Sequence, residues 1–352
     1  MFRESRMHNT EIAAINSELK RTRKAIISLG CSFVEGQGAI DQDIYETHDW
    51  SMLKTGVPME PILTDAEKSK LLLAHKELRI DNKGNIDWTF MQHKNAFVNV
   101  LCKKYFNSEY TAINFGLKGK GNRASIKSLY FHPQIDWHNI DELVVIYVPS
   151  GPERFDFLSD ELGNDSNEIA KFHCMWPWHE DQPDSPRKTL WKGYGTAVHS
   201  EKSSMLEQIS NVIELENWCK LKNAKLIITP GFDRTYTQTD FKNIIRWNII
   251  RDEHQKITKH VEHTASMQSL DKNKEQILDA IVDQWPWDKM FKPQGYSTFM
   301  DLCLAQEGIK NVGFWDFNGK GTPNHWVTVC CHPSAKGHDL FAYELYKFII
   351  GS

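Results

Sequence analysis

Several features that would place a chain quickly are missing from these 352 residues. No apolar run is long enough to span a bilayer, so no membrane segment is expected. The N-terminus, Met1-Phe2-Arg3-Glu4-Ser5-Arg6, is polar and lacks an apolar signal core, so no export signal is expected either. The net charge is only slightly negative: 42 Lys and Arg stand against 46 Asp and Glu. Nothing electrostatic therefore favours nucleic acid or an anionic membrane surface as partner. The seven cysteines (31, 102, 174, 219, 303, 330 and 331) are odd in number and form no CxxC pattern. That excludes a disulfide framework and a zinc-ribbon site, and points to reduced, buried thiols in a reducing compartment. The one glycine-rich loop, Gly116-x-x-Gly119-x-Gly121, has neither the dinucleotide nor the P-loop spacing, so nucleotide binding is discounted. No internal repeat is visible.

What is present is an alternation of strands and helices. Residues 9–24 are charged and helix-compatible, a leader (residues 1–24) before the core. Apolar runs then read as strands at 25–30, 110–116, 143–148, 224–230 and 312–316. Amphipathic helices fall between them: 89–106, with Phe90, Phe97 and Leu101 on one side; one starting near Arg123; one carrying Met205, Ile209 and Val212; and a last one near 334–350. Five alternations imply an α/β fold, with a five-stranded parallel sheet between two helical layers. A single elaborated domain over 25–352 accounts for this, with polar insertions near 37–88, 159–200 and 235–300. Insertions of that length carry structure of their own or sit beside a binding site.

Two stretches stand out chemically. Gly30-Cys31-Ser32-Phe33-Val34-Glu35-Gly36 ends the first strand on a sharp turn with a serine at its tip. The carboxyl ends of strands are where open α/β sheets bind ligands. Cys331-His332-Pro333-Ser334…Gly337-His338 precedes the final helix. A serine hydroxyl becomes a competent nucleophile only with a base in reach, and imidazole suits that role near neutrality. Alone, the first stretch is an ordinary strand exit and the second an ordinary helix-capping loop.

Together with Asn114…Gly119…Asn122 after the second strand, they resemble the ordered sequence blocks of the SGNH (GDSL) hydrolase superfamily. The long insertions are similar to those of its phage-encoded members. The resemblance implies a flavodoxin-like three-layer α/β/α fold and no cofactor. It assigns Ser32 as nucleophile and His332 as general base, with the backbone N–H groups of Ser32 and Gly119 as oxyanion-hole donors. Three departures accompany it. Cys31 stands where the family has aspartate; its register puts a cysteine nucleophile off the elbow. Val329 occupies the usual position of the acid, so His332 works in a dyad, against a backbone carbonyl, or with another acid such as Asp316. Ser150-Gly151-Pro152-Glu153-Arg154 replaces the block that normally supplies an asparagine donor. Asn122 or Arg154 substitutes there, or Arg154 is a structural ion-pair partner.

Other groupings read as structural. His254, His260 and His263 lie in a charged stretch without a carboxylate at ligand spacing, so no metal is expected. His338 belongs inside the final helix. The tryptophans at 176, 178 and 191 suit a packed insertion or stacking on sugar rings. The function expected is that of a serine esterase or O-deacetylase acting on a small ester or acetylated carbohydrate, cytoplasmic or virion-associated. The alternative is a weakly active or inactive glycan-binding or structural module on the same fold.

Overall fold

The run Leu143–Val148 is apolar without interruption because both faces of its strand are covered, as parallel strands require. In the computed structural model, four such strands form one parallel sheet: β1 (Lys24–Gly30), β2 (Thr111–Gly116), β3 (Glu142–Val148) and β4 (Lys225–Ile228). Their spatial order is β4-β3-β1-β2, which places β1 in the interior with β2 and β3 as neighbours. The structure describes residues 9–47, 50–51, 60–61, 63–76, 78–81, 84–117, 121–131, 134–151, 154–158, 172–175, 189, 201–254, 272–309, 322–328 and 331–351.

Alternate side chains send the strands into two cores. Ala25, Ile27, Leu29, Val145, Tyr147 and Ile228 face one side, where α1 (Asn9–Thr22), α3 (Asn122–Phe131), α4 (Glu201–Leu221) and α5 (Gln238–His254) pack. Between β1 and α3 comes α2, the single turn Ser32–Glu35. Ile26, Val144, Ile146, Val148 and Ile227 face the other side, against Phe97, Leu101, α6 (Phe299–Gln306) and α7 (Ala335–Ile350). The architecture is α/β, with helices on both faces of a parallel sheet.

The expected five strands are not met: the sheet has four among the described residues. The stretch 312–316 expected as the fifth lies outside them. The free edge of β4 is instead engaged by a bridge from Ile228 to Met290 and by the Phe291 N–H, which donates to the Ile228 carbonyl at 2.7 Å.

The insertion near 37–88 has a small core of its own, in which Ile40, Ile44, Leu71, Ile86, Trp88 and Met91 are buried together. Its helix Asp65–Ala74 opens on a capping box between Thr64 and Glu67. Trp176, Trp178, Trp191, His260 and His263 lie outside the described residues. Cysteines 31, 102, 219, 303 and 331 are buried and carry free thiols. Burial pushes the Cys102 and Cys303 thiols up, and that of Cys219 up to about 12.

The helix expected over 89–106 is broken. Thr89–Asn95 ends at Ala96, which is extended (φ −58°, ψ 141°), and Phe97–Val100 continues into a π-turn at Leu101–Tyr105. The break frees the Phe97 N–H to donate to Nδ1 of His338 at 3.2 Å. It also turns Phe90 out to solvent, 40% exposed, while Phe97 and Leu101 stay buried.

That bond leaves His338 neutral, with its proton on Nε2. Burial, followed by the positive charge of His332, lowers its pKa from 6.5 to about 3. The unfolded chain therefore binds this proton near pH 6.5 and the folded chain only near 3. Stability is complete above the higher value and falls as pH drops through the window. Between pH 7 and pH 4, urea unfolding of the wild type should lose about 3 kcal/mol more than that of His338→Asn. Parallel pH profiles for the two proteins would refute the assignment.

Candidate active site

The turn that carries Ser32 depends on a close approach. A Cβ on Gly30 would stand 2.5 Å from the Val148 carbonyl oxygen and 2.5 Å from Val34 Cγ2, so only glycine lets β1 end against β3 there. Cys31 is the N-cap of α2, and its carbonyl accepts the N–H groups of Val34 and Glu35 at 3.0 and 3.1 Å. Its side chain is fully buried in the apolar cluster beneath, away from any nucleophilic role. Ser32 is the first residue of the turn, so its N–H has no acceptor within the helix. Asn114 secures α2 from the neighbouring strand: Nδ2 donates to the Val34 carbonyl at 2.9 Å, and Oδ1 accepts the Gly116 N–H at 2.8 Å.

His332 arrives from the other end of the chain on a tight loop. Val327 and Pro333 form an antiparallel bridge. Within it, the N–H and hydroxyl of Thr328 both donate to the His332 carbonyl, at 2.9 and 3.0 Å. Cys331 takes a left-handed conformation, φ 59°, to complete the turn. Ser334 then caps α7, its side chain accepting the Gly337 N–H. Glu307 braces the approach, accepting from the Thr322 hydroxyl, from the Asn324 N–H and side-chain amide, and from the Trp326 N–H. Burial works to raise the Glu307 carboxyl, but these hydrogen bonds together outweigh it and hold its pKa below the usual value.

The two loops meet. Ser32 Oγ lies 2.7 Å from His332 Nε2, across 300 positions of sequence. The serine is 6% exposed and the histidine 8%, so little water competes for that bond. Phe33 supports the imidazole, ring centroids 4.9 Å apart, and Phe232 packs on Phe33 at 5.3 Å. The Arg154 guanidinium stands 5.9 Å over the Phe232 ring, which places it on this aromatic wall, two rings away from His332.

Asn122 is placed differently from an oxyanion donor. It is 1% exposed; Oδ1 accepts the Ser150 N–H at 2.7 Å and the Ser150 hydroxyl at 3.2 Å. Nδ2 donates to the Ser150 carbonyl at 3.0 Å and the Tyr236 hydroxyl at 3.3 Å. Both ends of the amide are engaged in tying α3 to the exit of β3. Gly119, Val329 and Asp316 lie outside the described residues. Among the described residues, no group of three or more His, Cys, Asp or Glu side chains could hold a metal ion, and no helix is long and apolar enough to cross a membrane.

Sequence reasoning passed over Asp156 and Tyr236. Asp156 is a carboxylate between two phenylalanines in the hairpin strand Phe155–Leu158, 1% exposed. A charged residue flanked by aromatics in a short strand was the available signal. Tyr236, whose hydroxyl donates to the Ser150 carbonyl at 2.5 Å, carried no signal beyond being one of ten tyrosines.

Gly38 seats the histidine loop. Its φ is 91°, and a Cβ there would lie 2.9 Å from both the Pro333 carbonyl oxygen and Thr328 Oγ1, and 3.1 Å from His332 Cβ. Gly38→Ala should lower stability by about 1–3 kcal/mol and lengthen the Ser32–His332 contact. Chemical denaturation together with a crystal structure of the variant checks both; an unmoved His332 at wild-type stability would contradict this account.

No protein-family model matches this chain, and no curated protein does.

Proposed function

We propose that this protein is a serine ester hydrolase of the SGNH type, an esterase or O-deacetylase acting on a small ester or an acetylated carbohydrate. The observation that carries the reading is the 2.7 Å contact between Ser32 Oγ and His332 Nε2 at the carboxyl end of an interior parallel strand. A hydroxyl at that distance donates to an unprotonated Nε2, which is the arrangement a general base requires.

The residues then have these tasks. Ser32 Oγ attacks the ester carbonyl carbon while its proton passes to His332 Nε2. The carbonyl oxygen becomes an oxyanion, met by the Ser32 N–H, which has no helical acceptor, and by the Gly119 N–H that the family resemblance assigns. The intermediate collapses, and the leaving alkoxide takes the proton from His332. Water, deprotonated by His332, attacks the acyl-serine; the serine oxygen leaves and recovers its proton. His332 shuttles one proton in each half-reaction. The aromatic wall of Phe33 and Phe232 keeps water from the imidazole, and Arg154 stands over the Phe232 ring at the far end of that wall.

The test is covalent labelling. A serine-directed phosphonate should modify Ser32, as mapped by mass spectrometry of the digested adduct. Ser32→Ala and His332→Ala should each lower hydrolysis of a small acetyl ester by about 10³-fold or more. Folded protein that takes no label at Ser32 would overturn the reading; retained affinity for glycans would then favour a binding module on the same fold.

A further inference from the structure

The two rings of the wall beside His332 differ in one respect. Phe33 is fully buried, whereas Phe232, tilted 32° against it, keeps part of its surface in solvent although Phe33 and the Arg154 guanidinium both pack on it. Moving outward from the imidazole, Phe232 is the first of the two with surface to offer a ligand. The loop that carries it leaves β4 and is anchored on both sides of the ring. Before Phe232, the Phe299 and Met300 N–H groups at the start of α6 donate to the Pro230 and Gly231 carbonyls, both at 2.9 Å. Gly231 itself is packed so closely that a Cβ there would stand 3.3 Å from Val148 Cγ1 and 3.4 Å from Phe33 Cγ. After Phe232, Arg234 forks onto the carboxylate of Asp301 in the same turn of α6, its Nε donating to Oδ1 at 2.9 Å. A half-exposed aromatic held this firmly is a preformed contact surface, because little ordering remains to be done when a ligand meets it.

We propose that Phe232 is a specificity-determining residue that receives the alcohol moiety of the ester and selects an acetylated pyranose over a small alkyl ester; the inference rests on the ester-hydrolase reading above. The side follows from the path of the proton. The acyl carbon is bonded to Ser32 Oγ, while the leaving oxygen takes its proton from His332 Nε2 and so lies within hydrogen-bond reach of it. The alcohol moiety therefore occupies the imidazole side of the site, where the Phe33–Phe232 wall stands. An ethyl group on that oxygen extends by two carbons. A pyranose extends by a full ring, the step that separates Phe232 from the Phe33 beside the imidazole. The C–H groups of a pyranose give it an apolar patch, and an aromatic side chain is the surface that receives such a patch in a concave site.

Ethyl acetate and a mono-O-acetylated methyl glucopyranoside, taken as its best positional isomer, transfer the same acetyl group and differ only in the alcohol. The ratio of their kcat/KM values therefore isolates the contact. In the wild type the ratio should favour the pyranoside by about tenfold or more, and Phe232→Ala should cut it by about tenfold. Phe232→Tyr, which keeps the ring, should restore it. If Phe232→Ala does not fold, Phe232→Leu keeps bulk against Phe33 and should lower the ratio in the same direction. A purely structural role would lower thermal stability and slow both esters alike, leaving the ratio where it was. Ethyl acetate, propionate and butyrate vary the acyl group instead, and their order of preference should be the same in wild type and variants. An altered acyl order with an unaltered alcohol ratio puts the ring on the acyl side and overturns the proposal. A wild-type protein that takes phosphonate at Ser32 and hydrolyses both esters, with a ratio near one or a ratio indifferent to Phe232, overturns this inference alone. Absence of both label and turnover in the wild type overturns it together with the reading beneath it.

Discussion

The hydrogen bond between Ser32 and His332 joins two loops 300 positions apart, and most of the described architecture exists between them. Neither loop can place its side chain unaided. A single helical turn such as α2 is far below the length at which a helix holds itself in water. The Ser32 turn is therefore a product of its surroundings: the Val148 carbonyl under Gly30, the Asn114 amide on Val34, and the Leu117 N–H on the Gly30 carbonyl. The His332 turn depends likewise on Thr328, on the Val327–Pro333 bridge and on the docking of α7. The site is a consequence of the sheet closing around β1, whose two neighbours come from later in the chain.

This arrangement separates scaffold from embellishment. The insertion near 37–88 buries its own cluster around Leu71, Ile86 and Trp88, distinct from the two cores flanking the sheet. The sheet is covered chiefly by helices from the regular alternation. Gly38 marks the point of contact between the two, where the chain leaving α2 passes beneath the histidine loop before entering the insertion.

What was legible in the sequence follows from how local its cause is. The β3 run announced itself because burial on both faces demands unbroken apolar residues, and Met205, Ile209 and Val212 announced α4 because one face is buried. Ser32 and His332 stood out through the glycine, proline and helix signals beside them. The break at Ala96 was not legible, since its partner is a histidine 241 positions away. The role of Asn122 was hidden for a similar reason: an asparagine after a glycine-rich loop reads as a donor to ligand, while Ser150, which engages it, is brought there only by the fold. Asp156 lies on a hairpin that periodicity alone does not reveal, and its carboxylate accepts the N–H of Gly121, 35 positions earlier.

The buried cysteines give the molecule a property independent of its chemistry at Ser32. Thiolate is the form that reacts with alkylating reagents and oxidants, and burial suppresses it at Cys102, Cys219 and Cys303 in both layers of the core. These sulfurs become reactive only when the layer above them opens. Cys219 lies under the helices of one face, and Cys102 and Cys303 under those of the other, so the order in which they react records which face loosens first. The chain thus carries an internal gauge of its own breathing, read out at sulfur.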